Sequence, residues 1–148
     1  MTTLTHQEFG SPSPRASAAA GTATATAEGV LRRALTAVAL LGIALIHVLD
    51  LPGKMQETPY LGVAYLGLIA GCVLVAEGLI RAENRQLWLA AGGLALATLV
   101  GFVINRTVGM PGATDDIGNW SEPLGIASLF VEGVVVLLAG LGLIRVRS

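Results

Sequence analysis

The sequence predicts an all-α protein, a four-helix transmembrane bundle, and three observations carry that prediction. Four apolar runs, at residues 34–51, 60–80, 87–105 and 124–144, each reach the length of about 18 residues that a helix needs to cross a hydrocarbon core about 30 Å thick. Charged residues make up only 13% of the 148, whereas a soluble domain carries about 25%, so much of the surface must face lipid. The basic residues then alternate in number between the two ends of the spans, as they do in multi-pass membrane proteins.

The chain starts with an Ala/Thr/Ser-rich tail, residues 1–29, containing "SPSPRASAAAGTATATAEG". Its composition cannot bury a core, and disorder is the expectation. Arg32 and Arg33 then precede the first span. They resemble the charged flank of a signal peptide, but the apolar run is too long and ends in "HVLDLPGK" with no small-residue cleavage site, so the span is expected to be retained. Arg81 and Arg85 lie in the short "RAENRQ" link between spans two and three, and Arg145 and Arg147 follow span four. With Arg15, Arg32 and Arg33 these put seven of the nine basic residues at one end, against Lys54 and Arg106 at the other. The positive-inside rule makes both termini of residues 30–148 cytoplasmic and the connections 52–59 and 106–123 external, in a multi-pass protein of the cell membrane. The alanine- and arginine-rich composition fits a GC-rich bacterial genome.

The two outer connections rhyme. One reads "LPGKMQETPYLG" and the other "MPGATDDIGNWSEPLG". Each leaves its span through Pro-Gly and returns through an acidic residue near a proline followed by Leu-Gly. Pro fixes φ and Gly accepts positive φ, so Pro52-Gly53 and Pro111-Gly112 each suit a type II turn that stops a helix. Pro123 suits the first turn of the last helix, with Ser121 or Glu122 as its cap. A parallel repeat of two hairpins would bring the two connections together across a pseudo-two-fold axis. Within the spans, Gly67 and Gly71 form a GxxxG pattern, and Gly93, Ala97 and Gly101 a second small-residue stripe. Both suit close helix packing inside the chain or between copies of it, so a homo-oligomer is one possible partner.

Ionisable residues inside spans are expensive and point to function. Glu77 and Arg81 are an i,i+4 pair at the cytoplasmic end, and Arg106 can snorkel to the interface. His47 and Asp50 share a face of span one at i,i+3. Glu132 lies about 12 Å along its helix from Leu124, the deepest charge in the chain, and needs a cation, a proton or water. His47 and Arg106 are the partners at comparable depth, so His47, Asp50, Arg106 and Glu132 are expected to cluster beneath the outer connections. Asp115, Asp116, Trp120 and Glu122 add acids and an aromatic from the longer connection. His47, Asp50 and Glu132 form a mixed nitrogen and oxygen set that suits a divalent transition metal. There is no HxxxH and no methionine cluster, and the lone Cys72 rules out CxxC. The acids of the longer connection lack the alternation of a calcium loop. Ser128 has no GxSxG context. With no basic patch to neutralise phosphates, nucleic acid is not an expected partner.

The segment "RTVGMPGATDDIGNWSEPLGIASLFVEG" resembles small four-span bacterial integral membrane proteins. In those, a Thr-Val-Gly-Leu-Pro-Gly turn ends span three, and Glu-Pro-Leu-Gly, Ser-Leu and a glutamate follow in span four. The matching positions are Thr107 to Gly112, Glu122 to Gly125, Ser128, Leu129 and Glu132, with Met110 in place of the leucine. "HVLDLPGKMQETPYLG" resembles the first hairpin of that group. The resemblance implies the four-span architecture and links Glu132 with the Pro-Gly connection; it implies no substrate.

The functional expectation is a non-enzymatic membrane protein without a cofactor. Its external polar cluster would bind a small partner or dock another membrane or extracytoplasmic protein. The alternatives are metal or proton handling by His47 and Glu132, and an intramembrane enzyme using Ser128 with His47.

Overall fold

The structure, a computed structural model, describes residues 14–147, with side chains from 22 to 146. Four helices follow one another: α1 (Pro14–Glu57), α2 (Pro59–Arg81), α3 (Arg85–Thr107) and α4 (Pro123–Arg147). Each is long and apolar enough to cross a membrane. No strand forms among the described residues beyond one isolated bridge between Met110 and Ala113. The chain divides into two units, 1–31 and 32–148; the geometry below belongs to the second.

Two expectations for α1 are corrected. Residues 14–29 are helical where composition pointed to disorder; alanine, the strongest helix former, recurs through this stretch. Residues 1–13 of the expected tail lie outside the described residues. The helix also runs through Pro52 and Gly53 to Glu57 rather than stopping in a turn. A proline inside a helix costs about 3 kcal/mol because it removes a hydrogen bond and crowds the preceding turn. The last turn of α1 offsets this through a long-range partner, Lys54 Nζ lying 3.0 Å from Asp116 Oδ2, and a local one, the Thr58 amide donating to the Lys54 carbonyl at 2.9 Å.

The reversal into α2 is accordingly abrupt. Only Thr58 is non-helical, and Pro59 opens α2 where its missing N–H is harmless. A Cβ on Gly62 would fall 3.1 Å from the Met55 Cα and closer still to its side chain, so a larger residue here would displace Met55 or push the two helices apart. At the other end of the bundle Asn84 caps α3 by accepting from the Leu87 amide at 2.9 Å. Beyond α3, Gly109 adopts φ +78° and its amide donates to the Ile104 carbonyl at 3.0 Å, a left-handed stop. The Ala113 amide donates to the Met110 carbonyl at 2.8 Å and Gly112 has φ +74°. This is the type II turn expected at Pro111-Gly112. The same dipeptide is therefore helix in one connection and turn in the other, which breaks the expected equivalence of the hairpins at its clearest shared feature.

Packing divides the bundle into two halves. The buried core is built from Ala37, Leu40, Ile43 and Ala44 on α1, Cys72, Ala76 and Leu79 on α2, Trp88, Ala91 and Ala95 on α3, and Val135 and Ala139 on α4. All lie in the half nearer the α2–α3 link. There the Trp88 ring lies so close to Gly142 that a Cβ on that glycine would collide with it. The Arg32 guanidinium sits 5.7 Å from the Trp88 centroid and 3.3 Å from Glu83. The other half, beneath the α1–α2 and α3–α4 connections, is hollow.

Small residues take part unevenly. A Cβ on Gly71 would meet Leu94 of α3 at 3.3 Å, as the close-packing expectation requires. Cβ atoms on Gly67 and Gly93 would meet nothing within 4 Å.

Candidate functional site

Arg106 organises the closed end of the hollow half. It occupies the last turn of α3 and is only 5% exposed, although the sequence suggested a side chain snorkelling to water. Its Nη1 donates to Asp116 Oδ1 at 2.7 Å and to the Asp116 carbonyl at 3.2 Å, and its Nη2 donates to Glu122. The guanidinium lies 5.1 Å from the Phe102 centroid, and Phe102 meets Trp120 edge-on with centroids 6.0 Å apart. A planar fork that holds two carboxylates and stacks on a ring is arginine chemistry that lysine cannot copy. The α3–α4 connection thus folds back over the residue that ends α3, and the Gly118 amide closes the loop by donating to the Arg106 carbonyl at 2.9 Å.

Asp116 ties this connection to α1. One oxygen accepts from Lys54 Nζ at 3.0 Å and from Asn105 Nδ2 at 2.8 Å, while the other accepts from Arg106. Burial by itself would push the Asp116 carboxyl up. The hydrogen bonds from Asn105, Lys54 and Arg106, with the nearby Lys54 charge, outweigh it and hold the group below the ordinary carboxylate range. The two connections also meet directly, as the repeat idea anticipated: Tyr60 Oη donates to the Pro111 carbonyl at 2.8 Å and Thr58 Oγ1 to that of Gly112 at 3.4 Å.

Beneath this lid lies a cavity of about 390 Å³, bordered by all four helices. It is mostly apolar, with Leu61, Leu68, Leu94 and Phe102 among its walls, and it reaches His47, Asp50, Ser128 and Glu132. That size lies at the lower end of small-molecule pockets, about 300–1,000 Å³. Glu132, 0% exposed, adjoins the packed core that begins at Val135. One of its oxygens accepts from Ser128 Oγ; Oε2 has no partner. Asp50 accepts from Tyr65 Oη at 3.1 Å. His47 Nδ1 lies 2.9 Å from the Ile43 carbonyl, which can only accept, so Nδ1 carries a proton, and in the neutral ring Nε2 is an acceptor. The His47 ring meets Tyr65 edge-on at 4.6 Å.

The four residues expected to cluster, His47, Asp50, Arg106 and Glu132, do border one cavity. Their pairing differs from the expectation. Arg106 holds Asp116 and Glu122 rather than reaching Glu132, and Glu132 takes the hydroxyl one turn before it. Glu122 and Asp116 face inward, to Arg106. Asp115 borders a separate depression with Lys54 and Glu57, and Trp120 is 46% exposed. Glu77 and Arg81 form the expected i,i+4 pair in the open.

Sequence reasoning missed Tyr65, Asn105 and the role of Lys54. Lys54, the only lysine and at the same end as the acid-rich connection, carried a signal; Tyr65, inside an apolar run, carried almost none. Among the described residues no group of three or more His, Cys, Asp or Glu side chains could hold a metal ion, so His47, Asp50 and Glu132 do not form the expected mixed ligand set. The Ser128 hydroxyl donates to Glu132 rather than to His47, the base expected for an intramembrane hydrolase. Comparison with protein-family models, with curated proteins and with solved structures finds no match to this chain.

Proposed function

We propose that this chain is a multi-pass protein of the cell membrane, both termini cytoplasmic, that binds a small molecule in the cavity between its helices from the extracytoplasmic side. One observation carries the reading: a fully buried glutamate with an unpartnered oxygen borders a mostly apolar cavity of about 390 Å³. A buried polar atom without a partner costs about 1–3 kcal/mol, more when charged, and a ligand or ordered water that fills the space removes that cost. The arginine distribution supports the orientation, since the cavity lies at the end that carries only Lys54 and Arg106.

Protein docking through the longer connection has less support. Asp116 and Glu122 are engaged by Lys54 and Arg106, which leaves Asp115 and Trp120 as its free recognition groups. The small-partner reading uses the cavity and the loop together: the loop is a lid clamped by ion pairs.

The test is ligand-induced stabilisation. Detergent-purified protein is melted in the presence of small amphiphiles of up to roughly 15 heavy atoms, a size set by the cavity class. A binder raises the melting temperature by mass action. Gly67 borders the cavity and its Cβ position is open, so Gly67→Leu adds bulk at the cavity wall. The reading requires compounds that stabilise the wild type and not Gly67→Leu. Equal effects on both proteins for every compound would reject it.

A further inference from the structure

We infer that the cavity is built for a small organic cation, an ammonium group on an apolar body, with the ammonium seated against Glu132 in the cavity that His47 and Asp50 also border. The inference rests on the small-molecule reading above and adds the ligand's chemistry.

Charge is the first argument. Asp50, Asp116, Glu122 and Glu132 border the cavity against two fixed cations, Lys54 and Arg106. Both cations are engaged by the lid: Arg106 by Asp116 and Glu122, Lys54 by Asp116 and Glu57. Glu132 is left with a hydroxyl partner only, Ser128, whereas Asp50 accepts from Tyr65 and lies in the field of Lys54 one helical turn on. A fully buried carboxyl without a cation is costly in a membrane-spanning bundle. A cationic ligand relieves that cost.

Hydrogen bonding is the second argument, and it is independent of charge. Most donors around the cavity are already engaged. Ser128 donates to Glu132, Tyr65 to Asp50, Thr98 to the Leu94 carbonyl and Asn105 to Asp116. Acceptors remain: Glu132 Oε2 and Asn105 Oδ1 are buried without partners, and His47 Nε2 is an acceptor because Nδ1 carries the proton. Arg106 Nε is an unengaged donor, but it belongs to the guanidinium that already holds two carboxylates. A site rich in unfilled acceptors selects a ligand rich in donors, and a primary ammonium offers three and accepts none. The apolar walls then receive its hydrocarbon, and the Tyr65 and Phe102 rings border the same space.

Three probes of one shape separate the possibilities: phenethylamine, 2-phenylethanol and 3-phenylpropionate, titrated calorimetrically into the full-length protein in nonionic detergent at neutral pH. The expected result is binding by the amine, at least about tenfold weaker binding by the alcohol, and none by the carboxylate, a discrimination of the size that unpaired buried polar groups produce. Glu132→Gln, which keeps shape and removes charge, should weaken the amine about tenfold or more and leave the alcohol within about twofold. Asp50→Asn, nearer the lid, is the second variant should Glu132→Gln not fold, and should weaken the amine selectively as well. Equal binding of amine and alcohol, or amine binding indifferent to both variants, overturns the cation inference. If that binding is still lost in Gly67→Leu, the small-molecule reading stands without it. If none of the three probes binds, or all bind Gly67→Leu as they bind the wild type, both fail.

Discussion

Arg106 illustrates how a single residue can decide the structure of a loop. Removing its side chain leaves Glu122 without a cation and Asp116 with only Lys54 and Asn105. Breaking a buried ion pair from one side costs about 3–5 kcal/mol. Arg106→Ala should therefore lower the melting temperature sharply, and Arg106→Lys should restore only part, because an ammonium cannot fork between two carboxylates. A melting temperature unchanged in both variants would refute the clamp. Asp116 makes a matching pH prediction. Its folded-state carboxyl lies below the ordinary range, so as pH falls the unfolded chain takes up the proton first. The stability it contributes is full above the ordinary carboxylate value, about 3.9, and is lost as pH falls through the lower folded value. Melting curves from pH 6 to 3 should fall more steeply for the wild type than for Asp116→Asn. At this scale the sequence was informative about depth and silent about rotation. Helical spacing and distance from the span ends put His47, Asp50, Arg106 and Glu132 at one end, where they are. Which faces which depends on how α3 and α4 turn about their axes, and that set Arg106 toward the loop and away from Glu132.

Among the elements, the two Pro-Gly connections show why a shared motif does not guarantee a shared shape. In α1 the pair is carried within a helix whose last turn is anchored by Lys54; after α3 the helix has already stopped at Gly109 and the pair forms a turn. Local preference allowed both outcomes, and tertiary contacts chose between them. The two glycines should thus respond in opposite ways. Gly53 is helical with open space at its Cβ position, so Gly53→Ala should stabilise, by up to about 1 kcal/mol. Gly112 has φ +74°, where an L side chain costs roughly 1–2 kcal/mol, so Gly112→Ala should destabilise. Thermal melts of the two variants side by side check this, and the same sign in both would contradict the assignment. Helix positions in 30–147 were readable from apolar length, the stop near Arg81 from the polar residues that follow and the stop near Thr107 from Gly109 and the Pro-Gly pair. The helix over 14–29 was not, because an Ala/Thr/Ser-rich composition satisfies both a disordered tail and a good helix former.

The molecule as a whole is packed at one end and hollow at the other. Small and aliphatic residues close the half around Trp88, whereas the half beneath the connections keeps a cavity whose buried polar residues are His47, Arg106, Ser128 and Glu132. In the orientation we propose from the arginine bias, the packed half is the cytoplasmic one and the hollow half meets the exterior. The membrane class and four-span architecture could be read from composition and length alone. The cavity could not, since a void is a property of how four helices diverge and no single residue type announces it. The most direct measurement is chemical access to its floor. Ser128 borders the cavity beside Glu132, while the native Cys72 is buried in the core. Ser128→Cys in intact cells should react with a small membrane-impermeant methanethiosulfonate added outside, and the wild type should not. Adding Gly67→Leu should slow that reaction. If Ser128→Cys reacts only after the membrane is permeabilised, or no faster than Cys72, a binding cavity open to the outside is contradicted.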